Sequence, residues 1–180
     1  MKCPFVYRLI TSVFGTEKKC STHLRATTNF NNDFNMVKII HNGDIFNSQC
    51  QTLVNTVNCV GVMGKGIALS FKQRYPDMFK RYQGICKQRL LDVGKLWLWK
   101  GDSHWVLNFP TKIHWRNPSQ IEWIERGLDK FVETYHDKGI TSIAFPALGC
   151  NNGGLSKEVV IPIMEEKLSQ CTDIDVEIYC

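Results

Sequence analysis

Two short glycine-rich segments hold most of the residues in this chain whose types and spacing could do chemistry. The first, GVMGKG at residues 61–66, places three glycines in six positions just ahead of a helix-like run. It is not a Walker loop. That motif needs four residues between its first glycine and its Gly-Lys-Ser/Thr. Here two residues part Gly61 from Gly64-Lys65, and Gly66 stands where the hydroxyl is required. The second segment reads Gly149-Cys150-Asn151-Asn152-Gly153-Gly154. In loops of this kind backbone N–H groups can approach phosphate oxygens, helped by a following helix N-terminus. The same glycines would also serve ordinary tight turns that need positive φ. Two such loops at matching positions suit a diphosphate gripped from both sides. A third group, His114-Trp115-Arg116, sets an imidazole, an indole and a guanidinium in a row. Such a set can stack a base and hold a phosphate, although Trp115 also reads as a core aromatic.

The elements around these segments must position them. VKIIH, beginning at Val37, reads as a strand, and TLVNTV (52–57) as a second, largely apolar one. GIALSFKQRY (66–75) reads as a helix halted before Pro76, and a second helix starts at that proline. GKLWLWK and HWVLNFP read as two strands. Pro118-Ser119 is expected to open a helix through about His136, with Ile121, Ile124, Leu128, Phe131 and Val132 on one stripe and Gly139 as its stop. TSIAFPAL (141–148) reads as a buried strand, LSKEVVIPIMEEKL as a helix despite Pro162, and IDVEIY as a closing strand. Strands separated by helices call for a mixed, largely parallel sheet covered on both faces, a three-layer α/β/α arrangement. Each glycine loop then follows a strand and precedes a helix, which is where open α/β sheets bind ligands.

At 180 residues the chain is long enough for one domain with a proper core. No apolar run reaches membrane-spanning length, and the N-terminus lacks the pattern of a secretory signal, so no membrane partner is expected. Eight cysteines are scattered, none in a C-x-x-C pair, with no histidines grouped near them. Reduced thiols, a cytoplasmic location, no metal site and no cofactor are the expectation. Cys150 has no visible His–Asp partners and reads as a small residue packed beside phosphate, not as a nucleophile. The formal net charge is +5, unevenly placed. Residues 64–116 hold eleven Lys/Arg against three Asp, whereas residues 117–180 hold five against eleven Asp/Glu. An anionic partner on one face fits this asymmetry, as does a solvated basic helix surface. The Asn-rich stretch TTNFNNDFN (27–35) reads as a linker, so residues 1–35 are expected to form a poorly ordered tail, with Met36 an alternative start, and residues 36–180 the folded domain.

NGDIF (42–46), LVNTVN (53–58), GVMGKGIA (61–68) and FPALGCNNGG (145–154) together resemble the macrodomain family, which binds ADP-ribose. The order and spacing match over residues 36–180. VNTVNCVGVMGKGIALSFK, NFPTKIHWR (108–116) and LGCNNGGL (148–155) resemble one branch more closely, the antitoxin macrodomain of the DarT–DarG type, which removes ADP-ribose from thymidine in single-stranded DNA.

The resemblance implies roles. Asp44 accepts a hydrogen bond from the adenine amine, with Ile45 beside it; read from residue type alone, Asp44 also suits a helix N-cap. Gly61, Val62, Met63, Gly64, Lys65 and Gly66 in the first loop, and Gly149, Cys150, Asn151, Asn152 and Gly153 in the second, line the ADP-ribose. Asn58 lies near the distal ribose, where its amide can fix the sugar hydroxyls, and is expected to be catalytic beside Lys112; Asn55 reads as a brace for the loop. Lys112 is the implied catalytic residue. Unprotonated, it can attack the anomeric carbon or assist ring opening, a state favoured by burial and by nearby cations such as Arg116 and Lys65. Protonated, it can stabilise charge on the leaving group or simply pair with phosphate. His114, Trp115 and Arg116 are the expected DNA contacts. Some lysine-using macrodomains that act on protein glutamate also carry an Asp in the second loop. Here no carboxylate follows until Glu158, which argues for DNA. The implied activity is a monomeric DNA ADP-ribosyl glycohydrolase reversing a DarT-like toxin, with this chain a fragment of a longer antitoxin, a stand-alone enzyme or a phage-style counter-defence protein. The alternatives are an ADP-ribose-binding module without catalysis, and a hydrolase of ADP-ribosylated protein or ADP-ribose 1″-phosphate.

Overall fold

A computed structural model describes residues 37–180; the expected tail of residues 1–35 lies outside them. The strands are β1 (Lys38–Ile40), β2 (Thr52–Asn58), β3 (Trp97–Lys100), β4 (Trp105–Lys112), β5 (Ser142–Pro146) and β6 (Asp175–Tyr179). The helices are α1 (Gly66–Arg74), α2 (Pro76–Lys87), α3 (Ile121–Lys138) and α4 (Lys157–Leu168), with short 3-10 turns at Ile45–Asn47 and Asn151–Gly153. One sheet runs β1-β6-β5-β2-β4-β3. Every pairing in it is parallel except β3 against β4.

Strand alternation sends side chains to opposite faces, and the sequence fills both with apolar groups. Val54, Leu107, Phe109, Ile143 and Phe145 pack with Ile124, Leu128 and Phe131 of α3 and Val160 and Met164 of α4. Leu53, Val57, Val106 and Ala144 pack on the other side with Phe71 of α1 and Met78 and Tyr82 of α2. Each Val, Leu, Ile, Phe or Met among them contributes about 1.5–3 kcal/mol of burial. Helix α3 lies close to the sheet because Gly127 has no side chain; a methyl there would run into the Phe109 ring. Gly139 ends α3 in the left-handed region at φ 75°, its N–H returning to the carbonyls of Tyr135 and His136.

Two of the boundaries that differ from the sequence expectation bear directly on the cleft. Helix α3 begins at Ile121, not at Pro118. The Ser119 N–H is already committed to the Gly153 carbonyl at 2.9 Å, so residues 118–120 tie the second glycine loop down before the helix starts. Strand β4 runs on to Lys112, two residues past the expected HWVLNFP. Its register slips as it does so: Val57 pairs with Pro110, then Asn58 with Lys112. Pro110 has no N–H to give the ladder, and an extra residue at such a point turns the following side chain.

Candidate functional site

A cleft of about 980 Å³ opens beyond the carboxyl ends of the central strands. Both glycine loops border it, with Asp44 and Ile45 at one end and Lys112 and Trp115 at the other.

Loop 1, residues 61–66, is held from beneath by side chains. Asn58 ends β2, and its amide oxygen accepts the N–H groups of Val60 (3.0 Å) and Val62 (3.3 Å). Its amide nitrogen donates to the Val62 carbonyl at 2.6 Å. The Tyr82 hydroxyl donates to the Asn58 carbonyl at 2.7 Å. Both atoms of the Asn58 amide are thus spent on the loop, although the residue borders the cleft near the expected ribose position. Asn55 is fully buried and donates to Asn108 at 3.0 Å, with the Met63 sulfur 3.8 Å away. Gly61, at φ 81°, faces Gln83 and Cys86 of α2, and Met63 is 1% exposed. These two expected ligand contacts do not line the cleft. They form the underside of the loop, where a run of six residues must fold back on the core. Val62, Gly64, Lys65 and Gly66 do line it.

Loop 2, residues 149–154, is held by backbone. Ser119 N–H bonds Gly153 O, and Leu155 N–H bonds Gly149 O at 3.1 Å. A methyl on Gly153 would fall 2.5 Å from the Ser119 hydroxyl. Gly149, Cys150, Asn151, Asn152 and Gly153 all border the cleft. The Cys150 thiol is 7% exposed, and burial raises its pKa, which suits a packing role.

The two loops meet. A methyl on Gly66, whose φ is 60°, would lie 2.5 Å from the side-chain nitrogen of Asn152. The helix after each loop starts without a side-chain cap on its backbone N–H groups. At α1 the residue before the helix is Lys65. At α4 it is Ser156, whose hydroxyl is bonded to Glu158 instead. Uncapped helix starts leave N–H groups free, and their field favours an anion. Gly66, Ile67 and Ala68 of α1 and Lys157 of α4 border the cleft. Lys157 escaped the sequence reading; its signal was its place as the first residue of the helix after loop 2.

Lys112 stands at the end of β4, half-buried, its ammonium nitrogen donating to the Asn152 carbonyl. Burial lowers its pKa from the usual 10.5. Neither Arg116 nor Lys65 contributes to that shift, so the expected help from nearby cations is replaced by desolvation alone. Beneath it, Cys59 donates its thiol proton to the Lys112 carbonyl at 3.3 Å. That thiol is pushed up to about 12, chiefly by burial and further by Asp92, and stays protonated.

At the other end, Asp44 accepts the Phe46 N–H at 3.0 Å and caps the 3-10 turn, so one of its oxygens is used locally. Of the expected DNA contacts only Trp115 borders the cleft, 45% exposed. His114 stacks near it with ring centres 5.4 Å apart, and the Arg116 guanidinium lies 4.5 Å from its ring centre. They orient the indole from outside the cleft.

The macro domain family matches residues 54–164, more than half of the chain. The chain belongs to the macro domain family. This macrodomain is 44% identical over 142 residues to a Mycobacterium tuberculosis protein named DNA ADP-ribosyl glycohydrolase; the match covers 76% of this chain and 40% of that protein. The chain therefore spans about two fifths of the length of the curated relatives it matches. Among solved structures it resembles the macrodomain of Mycobacterium tuberculosis DarG, at TM-score 0.74 and 42% identity, covering 79% of this chain and 97% of that one. It also resembles Thermosipho africanus DarTG in complex with ADP-ribose, at TM-score 0.72 and 43% identity, covering 79% of this chain and 41% of that one. Among the described residues no helix of this macrodomain is long and apolar enough to cross a membrane.

Proposed function

We propose that this macrodomain is a DNA ADP-ribosyl glycohydrolase that removes ADP-ribose from thymidine in single-stranded DNA and so reverses a DarT-like toxin. The observation that carries the reading is the seating of Lys112: a half-buried amine with a lowered pKa, bonded beneath a glycine loop that touches its partner loop. The likeness to proteins named for this activity supports it.

In this account the loops and the two uncapped helix starts hold the diphosphate, and Asp44 receives the adenine end. The neutral amine of Lys112 attacks the anomeric carbon of the distal ribose. A C–N bond to the lysine forms as the bond to the thymine nitrogen breaks, and the departing electron pair on that nitrogen takes a proton. Water then displaces the lysine, giving ADP-ribose and restoring the amine; the net reaction adds one water across the glycosidic bond. Asn58 acts by shaping loop 1.

Four of the six exposed large hydrophobic residues among those described, Val60, Val62, Ile113 and Trp115, flank Lys112 on two neighbouring segments. The Cys59 N–H ties those segments together through the Ile113 carbonyl at 3.1 Å. An apolar rim with an indole suits a nucleobase leaving group better than a carboxylate. The protein acts as a cytoplasmic monomer that needs no metal.

The test is a substrate panel. ADP-ribosylated single-stranded oligonucleotide should release ADP-ribose, whereas glutamate-linked ADP-ribosyl protein and ADP-ribose 1″-phosphate should be turned over at least about a hundredfold more slowly, the range a site distinguishes by contacts to the departing group. Calorimetric binding of ADP-ribose with no product from any member would leave a binding module; fastest turnover of the phosphate would replace the substrate.

A further inference from the structure

A second cleft, about 550 Å³, lies between α2 and the edge strand β3. Lys80, Arg81 and Asp77 line it from the helix, and Trp97, Trp99 and Lys100 from the strand. We infer that this cleft is a track for the single-stranded DNA that continues beyond the modified nucleotide. The inference rests on the proposal that the substrate is a nucleic acid.

Two cations, Lys80 and Arg81, face one carboxylate here. Lys80 and Asp77 form an ion pair at 3.5 Å, with both side chains more than three quarters exposed. Such a pair is worth little and yields readily to a phosphate. Arg81 is exposed and carries no carboxylate among the described residues' ion pairs. The Lys100 ammonium sits 4.0 Å from the ring centre of Trp105, its cross-strand partner on the α3 side of the sheet, so it adds no charge to the cleft. Trp97 and Trp99 turn toward the α2 face of the sheet and are half-buried, so part of each indole reaches the cleft. Cations alternating with aromatic faces are what a base-and-phosphate chain recognises without reading its sequence. An acidic protein would use the cations but not the indoles.

The cleft also lies where a strand leaving the catalytic end can reach it. Trp97 pairs with Asn108, four residues before Lys112 on β4. At about 3.3 Å per residue this is about 13 Å along the strand. Helix α2 joins the two places, since Tyr82, next to Arg81, bonds the carbonyl of Asn58 under loop 1. β3 closes the sheet order, so its outer edge is unpaired.

The experiment measures anisotropy of a fluorescein-labelled oligothymidine, about twenty nucleotides long, with ADP-ribose saturating the main cleft. It compares the parent with Lys80→Glu/Arg81→Glu and with the milder Lys80→Gln/Arg81→Gln. The charge-reversed protein should bind at least about tenfold more weakly at low salt. Its log–log salt slope should fall by about 1.4, at about 0.7 for each phosphate that is no longer neutralised. The glutamine pair should fall between. Unchanged calorimetric affinity for ADP-ribose shows that the variants are folded. Equal affinity and equal slope in parent and variants, no oligothymidine binding by the parent, or tighter binding of a polyglutamate peptide by the parent, overturns the inference. Turnover of ADP-ribosylated thymidine nucleoside, too short to reach this cleft, separately reports whether the glycohydrolase reading stands.

Discussion

The two glycine loops reach the same cleft by opposite means. Loop 1 hangs from side chains, with the Asn58 amide threaded through it by three hydrogen bonds and Tyr82 locking Asn58 in turn. Loop 2 hangs from backbone, and two of its glycines, Gly149 and Gly153, are packed so closely against Ser119, Leu155 and Ile124 that there is no room for a methyl. The division matches their tasks. Loop 1 need only offer N–H groups to an anion, and an amide can be tuned to do that. Loop 2 must also place a carbonyl, that of Asn152, against a lysine whose position decides the chemistry. Close packing allows less drift than a side-chain brace.

This contrast can be broken in four places. The largest effect belongs to Lys112→Ala, which keeps the Asn58 brace of loop 1 and the backbone bonds of loop 2 and removes only the amine's bond to the Asn152 carbonyl. Single-turnover release of ADP-ribose should drop by about 10²–10⁴-fold, the range for a positioned catalytic group, while calorimetric ADP-ribose affinity moves less than about threefold; equal loss of both would make Lys112 a binding residue. Gly66→Ala strikes where the loops meet. Left-handed strain of about 1–2 kcal/mol adds to the contact with Asn152, so ADP-ribose affinity should weaken by about thirtyfold, at about 1.4 kcal/mol per tenfold. Trp115→Ala lies outside both loops. KM for modified oligonucleotide should rise by about tenfold, since a stacked base is worth about 1–3 kcal/mol, with ADP-ribose affinity and thermal stability unchanged. Asn58→Ala removes the brace of loop 1. It orphans part-buried N–H groups at about 1–3 kcal/mol, which at about 2–4 °C per kcal/mol for this chain length should lower Tm by about 2–12 °C, and ADP-ribose affinity by about threefold. A larger loss of turnover than of affinity would instead place Asn58 in the chemistry.

Much of this was legible in the sequence because it is local. The described strands and helices announced themselves by apolar pattern and by the prolines and glycines that bound them, and Gly139 marked the end of α3 as a left-handed stop should. Both loops were visible as glycine clusters between a strand and a helix. What escaped depends on partners far along the chain. Residues 118–120 stay extended because Ser119 is bound to Gly153, thirty-four positions away. Lys112 belongs to β4 only through pairing with Asn58. Gly61 and Met63 face the core because α2 and Asn55 wait beneath them, a packing fact that a loop's composition does not carry. The lowered pKa of Lys112 was expected from burial together with nearby cations and came from burial alone, which no spacing of Lys and Arg encodes.

The proposed chemistry needs Lys112 to react as a neutral amine, and the pH dependence of kcat on ADP-ribosylated oligonucleotide tests that most directly. A lysine with a lowered pKa loses its proton as pH rises, so the reactive fraction grows. The rate should climb with pH to a plateau whose midpoint lies below the ordinary 10.5, and Lys112→Arg, which keeps the charge but cannot lose it, should be as slow as Lys112→Ala. A rate that falls with rising pH over the same range, with Lys112→Arg close to the parent, would show that the positive charge and not the free amine does the work.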